Sequence, residues 1–230
     1  MSPKRPVLLL ALILGSTGVA AQAEVHPFQV ILAGSALGTI EFETDDAGRP
    51  AALHGRFDNT PLGVFDGTFE GTSRPVQTEA GEVVLQFLGV TESTRKSRTI
   101  SVLHEGGQAI EATVSPGEEE TELSQVDQVP AGIIDPVEAF GRLVGAGGCP
   151  EPFRIYDGRR VVDVAVQSSE EADGVLTCHA SYEVVAGPGH LSPLGLTSFS
   201  MELAYTVGGT GFILSEIDIS ASIFELRLVR

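Results

Sequence analysis

Five histidines and two cysteines are the side chains best suited to metal or nucleophilic chemistry in this sequence. Their spacing announces neither. His26, His54, His104, His179 and His190 are scattered, with no His-x-x-x-His or Cys-x-x-Cys pair to set two ligands on one metal. No Gly-x-Ser-x-Gly elbow presents a serine, and no glycine-rich loop is built to cradle phosphate. Folding can still bring His104 or His179 beside an acid and a serine. His179 falls opposite the apolar face of its segment, where an exposed or loosely hydrogen-bonded ring is the plainer reading. Arg159 and Arg160 admit two readings, an anion site or pairing with nearby acids and solvent. No catalytic, cofactor-binding or metal residue is assigned, no cofactor is expected, and a non-enzymatic protein is the expectation.

What positions these groups begins after a leader. Lys4 and Arg5 precede an apolar run from Val7 to Leu14, and Ala21-Gln22-Ala23 places small residues where a signal peptidase reads. Residues 1–23 are expected to be cleaved, with Ala23 and Glu24 flanking the cut. The run is too short to span a bilayer and no stop-transfer segment follows, so no integral membrane segment is expected in the mature chain. A lipoprotein needs cysteine as its first mature residue, and here that residue is Glu24. With no tryptophan and 3 tyrosines, the aromatic girdles of an outer-membrane barrel are also missing. The expected location is the periplasm.

In an exported chain, Cys149 and Cys178 are expected to form one disulfide. Closing that loop stabilises the fold by roughly 3–4 kcal/mol in the chain-entropy view. A redox or metal-binding thiol pair is the competing reading. The formal charge is −17, and because Lys4 and Arg5 lie in the leader, residues 24–230 carry −19. Such a field repels phosphate backbones and anionic headgroups, which excludes nucleic acid as a partner. Solubility alone accounts for the acidity, and no loop has the spacing of a calcium site.

Along residues 24–230 the pattern is all-β. Phe199, Met201, Leu203, Tyr205 and Val207 alternate with small or polar residues. The same period of two runs through Leu176, Cys178, Ala180, Tyr182 and Val184, through Val162, Val164 and Val166, and through Ile213, Ser215, Ile217 and Ile219. Near Ile223 and Phe224 the phase switches, which predicts a bulge or bend. Asp157-Gly158 suits a two-residue hairpin turn, and further turns are expected at 45–49, 59–62, Gly106-Gly107 and Gly208-Gly209. A large curved antiparallel sheet, a half-barrel or barrel-like, follows for a single β domain.

One segment departs from this pattern. Asp135 suits a helix N-cap, Pro136 the first helical position, and Glu138 the reciprocal place of a capping box. A short helix is predicted over 136–144, ended by Gly145 to Gly148 and followed by Cys149. Before it, the acidic segment 116–130 lacks strand periodicity and reads as a solvated, mobile loop.

The stretch from Val129 to Gly187 resembles the DUF3108 family of exported bacterial proteins of uncharacterised function. The resemblance rests on Val-Pro ahead of Asp135-Pro136 and the helix, on Tyr156-Asp157-Gly158-Arg159-Arg160, and on a cysteine-bearing strand ending in Val185-Ala186-Gly187. It implies a secreted, mainly β protein and supplies no catalytic residue. Three functional expectations stand. The first is an envelope protein binding an apolar or lipid-like ligand in the concavity of its sheet, a reading that rests on analogy of fold. The second is an envelope scaffold with a packed core that contacts another envelope protein, and the third an uncharacterised hydrolase.

Overall fold

The alternating segments form one sheet in the computed structural model, which describes residues 22–58, 66–94, 96–190, 195–209, 211–221 and 224–230. The strands in chain order are β1 (Val25–Leu32), β2 (Ser35–Thr44), β3 (Pro50–Phe57), β4 (Gly67–Gln77), β5 (Val83–Ser93), β6 (Ser97–Glu105) and β7 (Gln108–Ser115). After a helical insertion come β8 (Ile133–Ile134), β9 (Phe153–Tyr156), β10 (Val161–Ala172), β11 (Val175–Ala186), β12 (Ser198–Gly208), β13 (Gly211–Ala221) and β14 (Phe224–Val229). The helix α1 (Pro136–Gly145) lies between β8 and β9. The spatial order is β7-β6-β5-β4-β3-β2-β1-β14-β13-β12-β11-β10-β9-β8, so the first and last strands are neighbours. Every pairing is antiparallel except β8 with β9. The sheet curls into a nearly closed barrel, and its two edges meet where Gly132 N and Ile133 N donate to Gly107 O at 2.8 and 3.0 Å.

A sheet curled this far must fill its inside, and α1 is the filler. Its Phe140 and Val144 touch both halves of the apolar interior, one against β1 and β9 to β14, the other against β5 to β7. Phe140 meets Phe28 edge-on, ring centroids 5.5 Å apart, and Phe42 at 5.7 Å. The close approach to β3 depends on Gly141, where a Cβ would lie 2.4 Å from Pro50 Cγ. Cys149 and Cys178 are bonded, with Cα atoms 5.6 Å apart, tying the chain just past α1 to β11.

The strands keep the expected phase except at rims and bulges. Phe199, Met201, Leu203 and Tyr205 are buried, whereas Val207, one residue from the end of β12, is exposed. On β13 the alternation through Ile213, Ser215, Ile217 and Ile219 is wrong in its first half. Tyr205 pairs with Leu214 and Ala204 with Glu216, so Ser215 is an extra residue, and the bulge hands the inward position to Leu214 while Ile213 is left outside. Of the bulge or bend expected near Ile223, the pairing fits the bend, since the chain reverses between Ala221 at the end of β13 and its partner Phe224 at the start of β14. Residue 223 itself lies outside the described residues, as do residues 1–21 of the leader and the turn expected at 59–62.

Two further expectations change. Asp157-Gly158 begins a four-residue connection, because Tyr156 pairs with Val161. The Asp157 carboxylate draws the amides of Arg159 and Arg160 out of the ladder, each at 2.9 Å. The Asp-Gly pair that does make a two-residue hairpin is Asp173-Gly174, with φ of 53° and 78° between paired Ala172 and Val175. The acidic segment is ordered rather than a solvated loop. It forms short 3-10 turns at Gly117–Glu119, Glu122–Ser124 and Val126–Gln128. These latch onto the β9–β10 turn through Thr121 Oγ1 to Arg159 O (2.8 Å) and Ser124 Oγ to Gly158 O (3.0 Å). Glu118, Glu120 and Glu122 face solvent, but Glu119 is buried among cations.

Candidate binding cavity

Packing is incomplete between α1 and the barrel wall. A cavity of about 330 Å³ opens there, walled by residues from β4, β5, β6, β9 and β10 to β14 and by one face of α1. Its walls are predominantly aromatic and aliphatic, with Phe69, Phe87, Phe140, Phe153, Met201 and Ile219 among them. That volume falls at the lower end of ligand pockets, about 300–1,000 Å³.

One end of the cavity is polar. The β9–β10 turn places Asp157 and Arg160 there, β6 adds Arg98, and Tyr182 of β11 and His190 complete it. The turn is pressed inward at Gly158, whose φ of +88° and distance of 2.5 Å from a built Cβ to Ile100 Cγ2 leave room for glycine alone. Arg160 is buried, with Asp157 Oδ2 3.0 Å from its Nε. That contact lies outside hydrogen-bonding geometry, and neither Nε nor Nη1 of Arg160 has a hydrogen-bond partner. Tyr182 Oη and His190 Nε2 share a hydrogen bond of 2.8 Å. Both rings meet Phe199 edge-on, at centroid distances of 5.7 and 5.8 Å. Burial, and then the charge of Arg160, push the His190 imidazole down to about 4, so it is neutral at pH 7.

Behind this end sits an ion cluster. Arg98 bonds Glu119 Oε2 through Nε (3.1 Å) and Nη2 (2.7 Å), Arg159 reaches the same oxygen at 3.1 Å, and Lys96 pairs with Oε1. Burial opposes ionisation of Glu119, but the Lys96 hydrogen bond and the charges of Arg98 and Arg159 outweigh it and hold the carboxyl below its ordinary value. Arg159 pairs with an acid, and Arg160, which lines the cavity beside Asp157, keeps two buried donors without hydrogen-bond partners.

A second polar group forms at the start of α1. Asp135 Oδ1 accepts from Val137 N (2.7 Å) and Glu138 N (2.9 Å), and Glu138 Oε2 accepts from Asp135 N (3.3 Å). Ser73 Oγ donates to Asp135 Oδ2 at 2.6 Å, and His104 Nε2 lies 3.1 Å from the same atom. Folding therefore does bring His104 beside acids and a serine. Ser73, however, bonds the carboxylate rather than the imidazole, so the ring is not placed to take a proton from Oγ. His104, Asp135 and Glu138 also have the donor atoms of a metal trio, within 4.8 Å of one another. Each of the four acceptor positions of Asp135 is already engaged, and the group serves to start the helix. Burial, followed by the Asp135 charge, raises the Glu138 carboxyl above its ordinary value.

The remaining sequence-derived sites lie apart from the cavity. Ala23 and Glu24 are exposed, and Glu24 is held to β2 by Thr44 N to Glu24 O at 2.9 Å. His179 is partly exposed on the outer face, 3.3 Å from Glu202. No helix among the described residues is long and apolar enough to cross a membrane. Nothing in the sequence pairs Tyr182 with His190, since a lone tyrosine in an alternating strand and a histidine among glycines and prolines carry no spacing signal. Compared with protein-family models, with curated proteins and with solved structures, the chain matches none.

Proposed function

We propose that this is an exported, periplasmic binding protein that holds one apolar, lipid-like molecule inside its barrel and performs no chemical step on it. The observation that carries this reading is the cavity of about 330 Å³ walled by aromatic and aliphatic side chains around α1. Empty apolar space forfeits dispersion contacts along its whole lining, a cost that an apolar guest removes. The cavity favours this reading over a scaffold with a packed core. The disulfide supports export into an oxidising compartment. Kinship with the DUF3108 family over residues 129–187 belongs to the same proposal.

Calorimetric titration with 1-decanol, a neutral apolar chain, tests it. One molecule is expected to bind per chain with a negative heat-capacity change. Ala139 lines the cavity from α1, so Ala139→Phe is expected to abolish binding. A folded wild-type chain that binds neither 1-decanol nor any other single-chain amphiphile overturns the reading.

A further inference from the structure

A buried guanidinium with idle donors is a costly feature, because an arginine taken out of water needs its N–H groups satisfied. Arg160 is 8% exposed, lines the cavity, and leaves Nε and Nη1 without acceptors. Its nearest carboxylate, Asp157, spends Oδ1 on two backbone amides of the turn and sets Oδ2 3.0 Å from Arg160 Nε, outside hydrogen-bonding geometry. Glu119, the other acid of the neighbourhood, is shared among Lys96, Arg98 and Arg159. Of these charged groups only Arg98, Arg160 and Asp157 line the cavity, two cations against one carboxylate, within a chain whose formal charge is −17.

Resting on the reading of the cavity as an apolar binding site, we propose that its ligand carries a single carboxylate head, which takes up the free donors of Arg160. The apolar tail lies along Phe87, Phe140 and Ile219. A carboxylate fits because it is a monoanion with two acceptor oxygens, matched to a guanidinium edge. A volume of about 330 Å³ admits one chain and not a diacyl lipid. The neutral His190 and the Tyr182 hydroxyl flank the head without adding charge. The ligand class is therefore a medium-chain fatty acid or a carboxylate of similar shape.

Titrating the full chain with decanoate, 1-decanol and decyltrimethylammonium separates head from tail. Decanoate is expected to bind about tenfold or more tightly than 1-decanol, the value of one charge-assisted hydrogen bond, and the cation weakest. In Arg160→Met the advantage of decanoate over 1-decanol is expected to vanish while 1-decanol binding persists. The wild-type comparison stands alone if that variant does not fold. Equal binding of decanoate and 1-decanol by the wild type overturns the carboxylate head and leaves the apolar cavity standing. Binding of none of the three overturns both.

Discussion

Asp135 shows how much rests on one carboxylate. It caps α1 through Val137 N and Glu138 N and also receives Ser73 Oγ and His104 Nε2 from two strands. Asp135→Ala loses the cap and strands two buried polar groups, which is expected to cost about 2–4 kcal/mol in urea denaturation. Asp135→Asn retains one acceptor oxygen and should cost less. The cap itself was legible, because Asp-Pro-x-Glu is a local pattern. Its partners were not, since Ser73 lies 62 residues away and His104 31. His190 gives a pH prediction. Its folded pKa, about 4, lies below the ordinary 6.5, so its contribution to stability is complete above about pH 6.5 and is lost as pH falls towards 4. Between pH 7 and 4.5 the wild type should therefore lose more stability than His190→Gln, measured by denaturation at each pH. Parallel curves would contradict the assigned environment.

Among the elements, the helix was readable because its cap, its proline and its glycine stop agree locally. That it fills a barrel was not, because its apolar face looks the same against any partner. Gly141 and Gly145 separate the two kinds of information. A Cβ at Gly141 would meet Pro50 Cγ at 2.4 Å and Phe42 Cζ at 3.1 Å, while at Gly145 nothing lies within 4 Å. Gly141→Ala is expected to lower stability by about 1–3 kcal/mol through overpacking. Gly145→Ala is expected to raise it by up to about 1 kcal/mol through helix propensity. Thermal melts of the two variants read the opposite signs directly. Replacing both Cys149 and Cys178 by serine should cost roughly 3 kcal/mol without changing the fold, seen as a lowered Tm with an unchanged circular dichroism spectrum. Strand periodicity failed at β13 for a definite reason. The extra residue Ser215 is stabilised by tertiary bonds, its hydroxyl to Ala204 O at 3.0 Å and its carbonyl from Arg230 N at 2.9 Å. Nothing in the alternation itself marks such a bulge.

At the scale of the whole molecule, a curved sheet was legible from many short alternating segments and glycine turns. Near-closure was not, since it rests on Gly107 meeting Gly132 and Ile133 across the two sheet edges. An apolar concavity was expected by analogy of fold alone, and its size was not legible, because it is the difference between the space a curled sheet encloses and the volume that α1 supplies. Only the arginine pair hinted at its polar end, and which of the two points inward is decided by Glu119, forty residues earlier. The interior of the barrel is proposed to hold an apolar guest. The most direct measurement is organic extraction and mass analysis of the protein purified under mild conditions from cells that naturally make it. The prediction is close to one apolar molecule per chain, released on extraction and identified as a single-chain carboxylate. An extract empty of any apolar molecule, repeated on folded protein with its disulfide intact, would contradict it.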